Sequence, residues 1–151
     1  MKRTLMAAGL AAGLTAGSAT AAEPDFRQSA MDREKSLPFS QSVRVGDVVY
    51  LSGQIGNLAG TLDLAPGGMA AETRQAMENI RTALAARGLG FDDVFKCTVM
   101  MADMSKWDEF NAVYTTYFKP GRYPARSSFG AAGLAKGAQV ELECWAHTGG
   151  K

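Results

Sequence analysis

The sequence predicts a two-layer α+β domain in which two helices cover one face of a single β-sheet. Strand-like runs and helical periodicities follow each other in the order ββ-α-β-α-ββ. The chain of 151 residues, 46% hydrophobic and 21% charged, has the size and composition of one soluble globular domain. Its last strand-like run alternates apolar side chains with Glu141, Glu143 and Trp145, which predicts one core face and one polar, aromatic face.

The first 22 residues have the layout of a secretory signal peptide. A basic start at Lys2 and Arg3 is followed by an uncharged apolar run (5–17) and by small residues (19–22). The apolar run is shorter than the roughly 20 residues that a membrane span requires. We therefore expect removal of this segment, no membrane anchor, and a mature protein that is periplasmic or secreted.

The rest of the chain divides into three predicted parts. The polar segment 23–37 has no periodicity and is predicted to be an irregular lead-in, 38–147 is the folded domain, and 148–151 is a flexible tail. The one histidine in the sequence, His147, lies at the predicted frayed end of the domain. A Ser-His-Asp triad is therefore disfavoured.

The first elements of the domain are a hairpin and a helix. Two β-rich runs (42–45 and 48–52) flank a Gly-Asp pair, which is typical of a tight hairpin turn. The glycine-rich segment 53–68 is predicted to be a loop. From residue 69, apolar residues recur at three- and four-residue steps, and Gly88 is placed to end this helix.

A strand, a second helix and two further strands complete the domain. The strand is predicted at 95–101, and Ser105 with Asp108 three residues on resembles a capping box at the start of the second helix. An aromatic stripe along that helix is predicted to pack mostly in the core. The last two strands are predicted near 126–130 and 139–146, joined by a turn that contains glycine.

The charge distribution and the cysteine content argue against two classes of function, nucleic-acid binding and metal binding. The formal net charge is +1, and loss of Lys2 and Arg3 with the signal peptide makes it −1. The charges are scattered, so no basic patch for nucleic acid is predicted. Cys97 and Cys144 could pair in an oxidising compartment, but two buried thiols are the favoured interpretation. One histidine and two separated cysteines also predict no metal site.

Five motifs occur together in the order and spacing of one known family. They are Pro-Phe-Ser-Gln from Pro38, Leu-Ser-Gly-Gln-Ile from Leu51, the segment from Gln75 to Asn79-Ile80, Tyr-Pro-Ala-Arg-Ser from Tyr123, and Lys-Gly-Ala-Gln-Val-Glu-Leu-Glu from Lys136. On these motifs the sequence resembles the Rid family of reactive intermediate deaminases (RidA/YjgF type), from about residue 38 to 146. Phosphate-binding loops, dinucleotide-binding fingerprints and nucleophile elbows are absent from the sequence.

The resemblance implies a chorismate-mutase-like fold with a mixed sheet, and a homotrimer whose ligand sites lie in the clefts between subunits. It also implies hydrolysis of small carboxylate-bearing enamines or imines, such as 2-aminoacrylate, to 2-keto acids and ammonia without a cofactor. The alternative is a trimer that binds a small 2-keto acid or related carboxylate without turnover. Ribonuclease and holdase activities are weaker alternatives, and the missing basic patch argues against the first.

The resemblance assigns catalytic roles to two residues. Arg126 stands where the family has its substrate-carboxylate arginine, and a guanidinium presents two parallel donors to a carboxylate. Glu141 stands where the family has its water-activating glutamate, and burial of a carboxyl raises its pKa towards the working range. The structural alternatives are a surface salt bridge for the arginine, and a solvated or inter-subunit ion-pairing role for the glutamate.

The same resemblance assigns six residues to the substrate cleft: Phe39, Ser52, Gly53, Trp107, Asn111 and Ser128. Core packing is the alternative for Trp107, which precedes Asn111 by one helical turn. Phe39 replaces the tyrosine that active deaminases of the family usually carry, so one hydroxyl is lost from the predicted cleft. Ser128 replaces a frequent cysteine, and Gly56 and Ala135 replace prolines.

Overall fold

The structure is a computed structural model that describes residues 23–149 of the chain. The predicted signal peptide (1–22) and the last two residues of the predicted tail lie outside the described residues. Within the described range, no helix combines the length and the hydropathy that crossing a membrane requires.

A single mixed β-sheet forms the centre of the fold. The strands are β1 (Asp25–Arg27), β2 (Ser42–Val45), β3 (Val48–Leu51), β4 (Gln54–Ile55), β5 (Val94–Met101), β6 (Ala125–Gly130) and β7 (Val140–His147), and the helices are α1 (Ala30–Glu34), α2 (Gly68–Ala85) and α3 (Trp107–Tyr114). The strand order is β1-β2-β3-β7-β5-β6, with the short β4 also paired to β7. β5 and β6 run parallel, whereas the other pairs are antiparallel.

The two longer helices share one hydrophobic core with one face of this sheet. On β7, buried side chains alternate with half-buried ones, as the sequence predicted. Apolar residues of α2 at helical spacing belong to the same core as this buried row, and they include Met77, Ile80 and Leu84. Burial of each side chain of this size contributes about 1.5–3 kcal/mol to the stability of the fold. The predicted two-layer α+β architecture is confirmed.

Glycines and one aspartate define the helix ends. α2 begins after Gly67, and the φ of +71° at Gly88 is the left-handed conformation expected of a glycine that ends a helix. α3 follows a 3₁₀ turn, in which the Asp103 carboxylate accepts a hydrogen bond of 2.9 Å from the Ser105 N–H. The predicted capping box of Ser105 and Asp108 is therefore wrong, because Asp103 takes the capping role two residues earlier.

Residues 23–37 contain a strand and a helix, so the prediction of an irregular lead-in is wrong. β1 pairs with β2. α1 has a capping box, in which the side chains of Ser29 and Asp32 each accept a hydrogen bond from the other's N–H. Arg87, just beyond α2, is nearly buried and forms an ion pair with Asp25. Pairing to the sheet and this buried guanidinium hold a segment that has no hydrophobic periodicity of its own.

The chain stays attached to the sheet beyond the predicted end of the domain. His147 is the last residue of β7, and its Nδ1 accepts a hydrogen bond from the Gly149 N–H. Thr148 is buried, and its N–H donates a 2.9 Å hydrogen bond to the carbonyl oxygen of Asp47, in the β2–β3 turn. The predictions of a frayed His147 and of a flexible tail starting at Thr148 are therefore wrong.

Cys97 and Cys144 form a disulfide. The two residues are direct partners on the neighbouring strands β5 and β7, and both are fully buried on the core face. The favoured sequence interpretation of two free buried thiols is therefore wrong. It failed because the pairing depends on the register between two strands that are 47 residues apart in the chain.

Candidate active site

Arg126 lies on β6, at one edge of the sheet, and its side chain packs against α3. The guanidinium Nη1 donates a 2.8 Å hydrogen bond to Asn111 Oδ1. The guanidinium carbon lies 4.8 Å from the ring centroids of both Trp107 and Tyr114. Because Trp107, Asn111 and Tyr114 recur at steps of four and three residues, one face of α3 presents them together. We call Trp107, Asn111, Tyr114 and Arg126 the arginine site.

The arginine site retains a positive charge that can bind an anion. A cavity of about 290 Å³ opens beside Arg126 and is also lined by Tyr123 and Pro124. The side-chain hydrogen-bond partner of Arg126 is a neutral amide, and no carboxylate forms an ion pair with it among residues 23–149. The rings of Trp107, Phe110 and Tyr114 surround the guanidinium, stabilise the cation and fix its orientation. A small carboxylate fits the planar fork that remains.

Glu141 lies on β7, on the sheet face that the two longer helices leave uncovered. Its side chain is half-buried. Burial, and then the negative charge of Glu143, raise the pKa of the Glu141 carboxyl above its usual value. The Glu143 carboxylate itself accepts a 2.6 Å hydrogen bond from Trp145 Nε1, which holds it beside the indole. Glu141 can therefore exchange a proton closer to neutral pH than an exposed glutamate.

Gly53 lies directly against the Glu141 carboxylate. A Cβ atom at residue 53 would lie 3.0 Å from Glu141 Cδ and closer still to Oε1, so a glycine is required there. Next to it, Ser52 Oγ donates a 2.6 Å hydrogen bond to the carbonyl oxygen of Ser40. This bond holds the segment that carries the exposed Phe39 ring beside β3. We call Phe39, Ser52, Gly53 and Glu141 the glutamate site; all four line a cavity of about 440 Å³.

Two motifs of the sequence serve as scaffold for the glutamate site. Asn79 of α2 donates hydrogen bonds to the carbonyl oxygens of Ile55 (3.1 Å) and Asn57 (2.9 Å), and Gln75 donates to Asn79 Oδ1. These bonds attach the chain that follows Gly53 to the helix. Gly56 packs so closely on α2 that a Cβ atom there would lie 2.6 Å from the Cα of a helix residue. The glycine at this departure from the family pattern is thus required by packing.

One chain does not bring Arg126 and Glu141 together. Across the sheet, Arg126 is the register partner of Cys97, whose side chain lies in the core beneath the helices. Glu141 is the register partner of Met100 on β5, three residues on from Cys97. Since alternate residues of a strand point to opposite faces, the two side chains lie on opposite faces of the same sheet. The structure groups Asn111 and Trp107 with the arginine, and Phe39, Ser52 and Gly53 with the glutamate.

Ser128 belongs with the arginine site by its place on the strand. It lies two residues after Arg126 on β6, on the same face. Its hydroxyl is buried and has no hydrogen-bond partner in the part of the chain that the structure describes. Ser128 does not line either of the two cavities described above.

Sequence reasoning missed two contributions to these sites. Tyr114 packs in the core, as predicted for most of its aromatic stripe, but it also lines the arginine cavity. The α1 residues Met31 and Asp32 line the glutamate cavity, together with Leu37. The capping pattern Ser29-x-x-Asp32 was a signal that could have revealed this short helix.

Metal binding finds no support in the side-chain arrangement. Within residues 23–149, no three His, Cys, Asp or Glu side chains cluster as a metal site would require. The disulfide also removes both cysteines as thiolate ligands.

The chain has a chorismate-mutase-like α+β fold, with a cationic pocket on one face of the sheet and a desolvated carboxyl on the other. This combination is typical of a class of proteins that bind small molecules. The family model described as Endoribonuclease L-PSP matches residues 31–148. The chain belongs to this family, which includes the Rid proteins, so the predicted resemblance is confirmed.

Individual relatives agree with this assignment. A mouse protein named 2-iminobutanoate/2-iminopropanoate deaminase is 41% identical over 112 residues, which are 74% of this chain and 82% of the relative. The solved structure of the Rid-family protein YyfA from Yersinia pestis matches with a TM-score of 0.70 and 34% identity, over 74% of this chain and 88% of that one. Escherichia coli TdcF with bound serine matches with a TM-score of 0.68 and 32% identity, over 73% and 87%.

Proposed function

We propose that this protein hydrolyses small carboxylate-bearing imines and enamines to 2-keto acids and ammonia, in clefts between the subunits of a homotrimer. The observation that carries the proposal is the separation of Arg126 and Glu141 onto opposite faces of one sheet. A second copy of the chain can bring an arginine site against a glutamate site, whereas one copy cannot. Relatives named as deaminases of 2-iminobutanoate and 2-iminopropanoate support the reaction class.

In the proposed reaction, Arg126 binds the substrate carboxylate and orients the C=N group. Its guanidinium is held by Asn111 and by the surrounding rings, so little side-chain freedom is lost on binding. The 2-imino carbon then faces the neighbouring subunit's glutamate site. Positioning of this kind converts the attack of water into an effectively unimolecular step.

Glu141 is proposed to move the protons. As a carboxylate it takes one proton from water while the oxygen attacks the imino carbon, and it returns that proton to the imine nitrogen, which gives a neutral tetrahedral carbinolamine. Glu141 then takes the hydroxyl proton of the carbinolamine and delivers it to the amino group as the C–N bond breaks, so that the 2-keto acid and ammonia leave. For an enamine, protonation at the β-carbon comes first. The raised pKa of Glu141 suits a group that must both take and return a proton, and no cofactor is invoked.

The uncovered face of the sheet supports the trimer. Large aromatic side chains lie on this face, and they are Phe26, Tyr50, Phe95, Phe129 and Trp145. Four of them are more than one third exposed in the single chain. A large exposed apolar surface of this kind is typical of a protein–protein interface. Packing of this face against other subunits would cover it and bring Glu141 to an interface.

We further propose that the protein acts in the periplasm or outside the cell. The disulfide between Cys97 and Cys144 supports an oxidising compartment, and the first 22 residues have the layout of a signal peptide. Cell fractionation of a C-terminally tagged chain tests this, together with the N-terminal sequence of the exported product. Retention of an unprocessed chain in the cytoplasm would contradict the proposal.

One observation favours the alternative of binding without turnover. Phe39 brings no hydroxyl to the glutamate site, and the Ser52 hydroxyl is already bound to the carbonyl oxygen of Ser40. Fewer side-chain donors therefore remain to orient a water molecule beside Glu141. A ribonuclease role is less well supported, since the charges along the sequence are scattered and the anion site is a single arginine.

The decisive experiment measures keto-acid release from an imine generated in situ by an amino-acid oxidase. Wild type, Arg126→Ala and the matched control Arg122→Ala are compared, since Arg122 is exposed and does not line the arginine cavity. We expect Arg126→Ala to fall to the buffer rate and Arg122→Ala to retain the wild-type rate. A wild type no faster than buffer would reject the enzyme, and binding of 2-oxobutanoate that depends on Arg126 would then favour the binding protein.

A further inference from the structure

Tyr114 carries a buried hydroxyl that the fold itself does not use. Only 2% of the residue is exposed, and its hydroxyl has no hydrogen-bond partner within residues 23–149. The ring lies 4.8 Å from the Arg126 guanidinium carbon, and Tyr114 lines the arginine cavity. Ser128 is the other buried hydroxyl without a partner in this range, and it too lies beside Arg126 on the same strand face. Both orphan hydroxyls thus lie next to the anion-binding residue.

A hydroxyl at this position is unfavourable unless something binds it. Burial removes the water that would otherwise solvate it, and no group among residues 23–149 replaces that water. Phe110 and Phe118, four residues to either side of Tyr114, fill the same core with no hydroxyl at all. Packing alone is therefore satisfied by a phenylalanine ring, which points to a partner for the Tyr114 hydroxyl from outside the chain.

The chemistry of the site defines this partner. Burial raises the pKa of Tyr114 to about 12, so the phenol stays neutral and can donate its proton in a hydrogen bond. Arg126 Nη1 already donates a hydrogen bond to Asn111, and the other N–H groups of the guanidinium remain for a ligand. A carboxylate has about four acceptor positions on its two oxygens, which is more than one guanidinium fills.

We propose that the Tyr114 hydroxyl donates a hydrogen bond to the carboxylate of the ligand that Arg126 binds. Tyr114 is then a further ligand-binding residue, on a different element from the arginine, and fixes the plane in which the carboxylate lies. The inference rests on the small-carboxylate ligand of the proposed function. It does not depend on whether that ligand is hydrolysed.

The experiment compares Tyr114→Phe with Tyr117→Phe. Both variants lose one phenolic oxygen from the same helical region, but the Tyr117 hydroxyl donates a 2.8 Å hydrogen bond to Glu78 and lies outside the arginine cavity. Binding of 2-oxobutanoate, the keto acid that corresponds to 2-iminobutanoate, is measured by titration calorimetry. Loss of a hydrogen bond to a charged group predicts a Kd raised at least about 10-fold for Tyr114→Phe, and an unchanged Kd for Tyr117→Phe.

Thermal unfolding of the unliganded proteins separates ligand binding from a structural role. Tyr114→Phe is expected to keep or raise the Tm, since it removes an unpaired buried hydroxyl, whereas Tyr117→Phe lowers it. An unchanged Kd for Tyr114→Phe overturns the inference, and so does a lowered Tm with equal weakening by both variants. If the wild type does not bind 2-oxobutanoate, the inference is also overturned. Imine turnover by the same preparation then shows whether the proposed function fails with it.

Discussion

Trimers that combine two inactive variants are expected to recover activity. Arg126→Ala removes the carboxylate-binding group but leaves the glutamate site intact, and Glu141→Gln does the reverse. Because the two residues lie on opposite faces of one sheet, each proposed cleft takes its arginine and its glutamate from different subunits. A cleft between one subunit of each kind can therefore contain both intact residues.

The expected recovery follows from the geometry of a ring. In a threefold ring, each cleft joins the arginine of one subunit to the glutamate of the next in one rotational direction. In any ring that contains both variants, one cleft of the three joins two intact residues. We therefore expect about one third of the wild-type rate per trimer, whether the ratio of variants is 2:1 or 1:2.

The assay uses two affinity tags, one on each variant, and tandem purification after co-expression. Keto-acid release from an in situ imine is measured for mixed trimers and for trimers of Arg126→Ala that carry both tags. The latter are expected to remain at the buffer rate. Mixed trimers that are as inactive as these controls would refute a site divided between subunits, and so would a chain that purifies as an active monomer.

Three further results are expected. Gly53→Ala should lower kcat about 100-fold with a small effect on Tm, because the added methyl displaces the Glu141 carboxylate by about 1 Å; Gly90→Ala, whose Cβ would meet nothing within 4 Å, is the control, and equal rates would contradict the role of the carboxylate. Glu143→Gln removes a charge that raises the pKa of Glu141, so the acid limb of the kcat/KM profile should move to lower pH; no movement, or movement to higher pH, would contradict this cause. Reduction of the disulfide between β5 and β7 should lower the unfolding free energy by about 2–4 kcal/mol in denaturant titrations, whereas coincident curves would show that the bond does not stabilise the fold.

Local pattern was sufficient to predict most of the sheet and both longer helices. The alternation on β7 and the apolar steps of α2 record which face of each element is buried, and that information is present in each segment by itself. β1 and α1 lack such a pattern. The two elements are held in place by the pairing of β1 with β2 and by the ion pair between Asp25 and Arg87, two residues that are far apart in the sequence. Long-range contacts of this kind leave no periodic signal.

The site was predicted as a set of residues but not as an arrangement. Motif order identified Arg126 and Glu141, and the structure adds Tyr114 and the wall that α1 contributes. The faces on which the arginine and the glutamate lie depend on the register of β6 and β7 against β5, which residue spacing along one chain does not encode. The same register decides that Cys97 meets Cys144. Inter-strand register was thus the missing information in both cases.

The opposite placement of the two site residues has a consequence for the proposed action in the periplasm or outside the cell. A chain whose clefts exist only between subunits has no activity as a separated monomer, so its output depends on its own concentration. Confinement in a periplasm keeps subunits concentrated, whereas release into an open medium dilutes them without limit. In the proposed trimer, a tight interface is then as necessary for function as the arginine and the glutamate, and the exposed aromatic face of the sheet is the surface that we propose forms it.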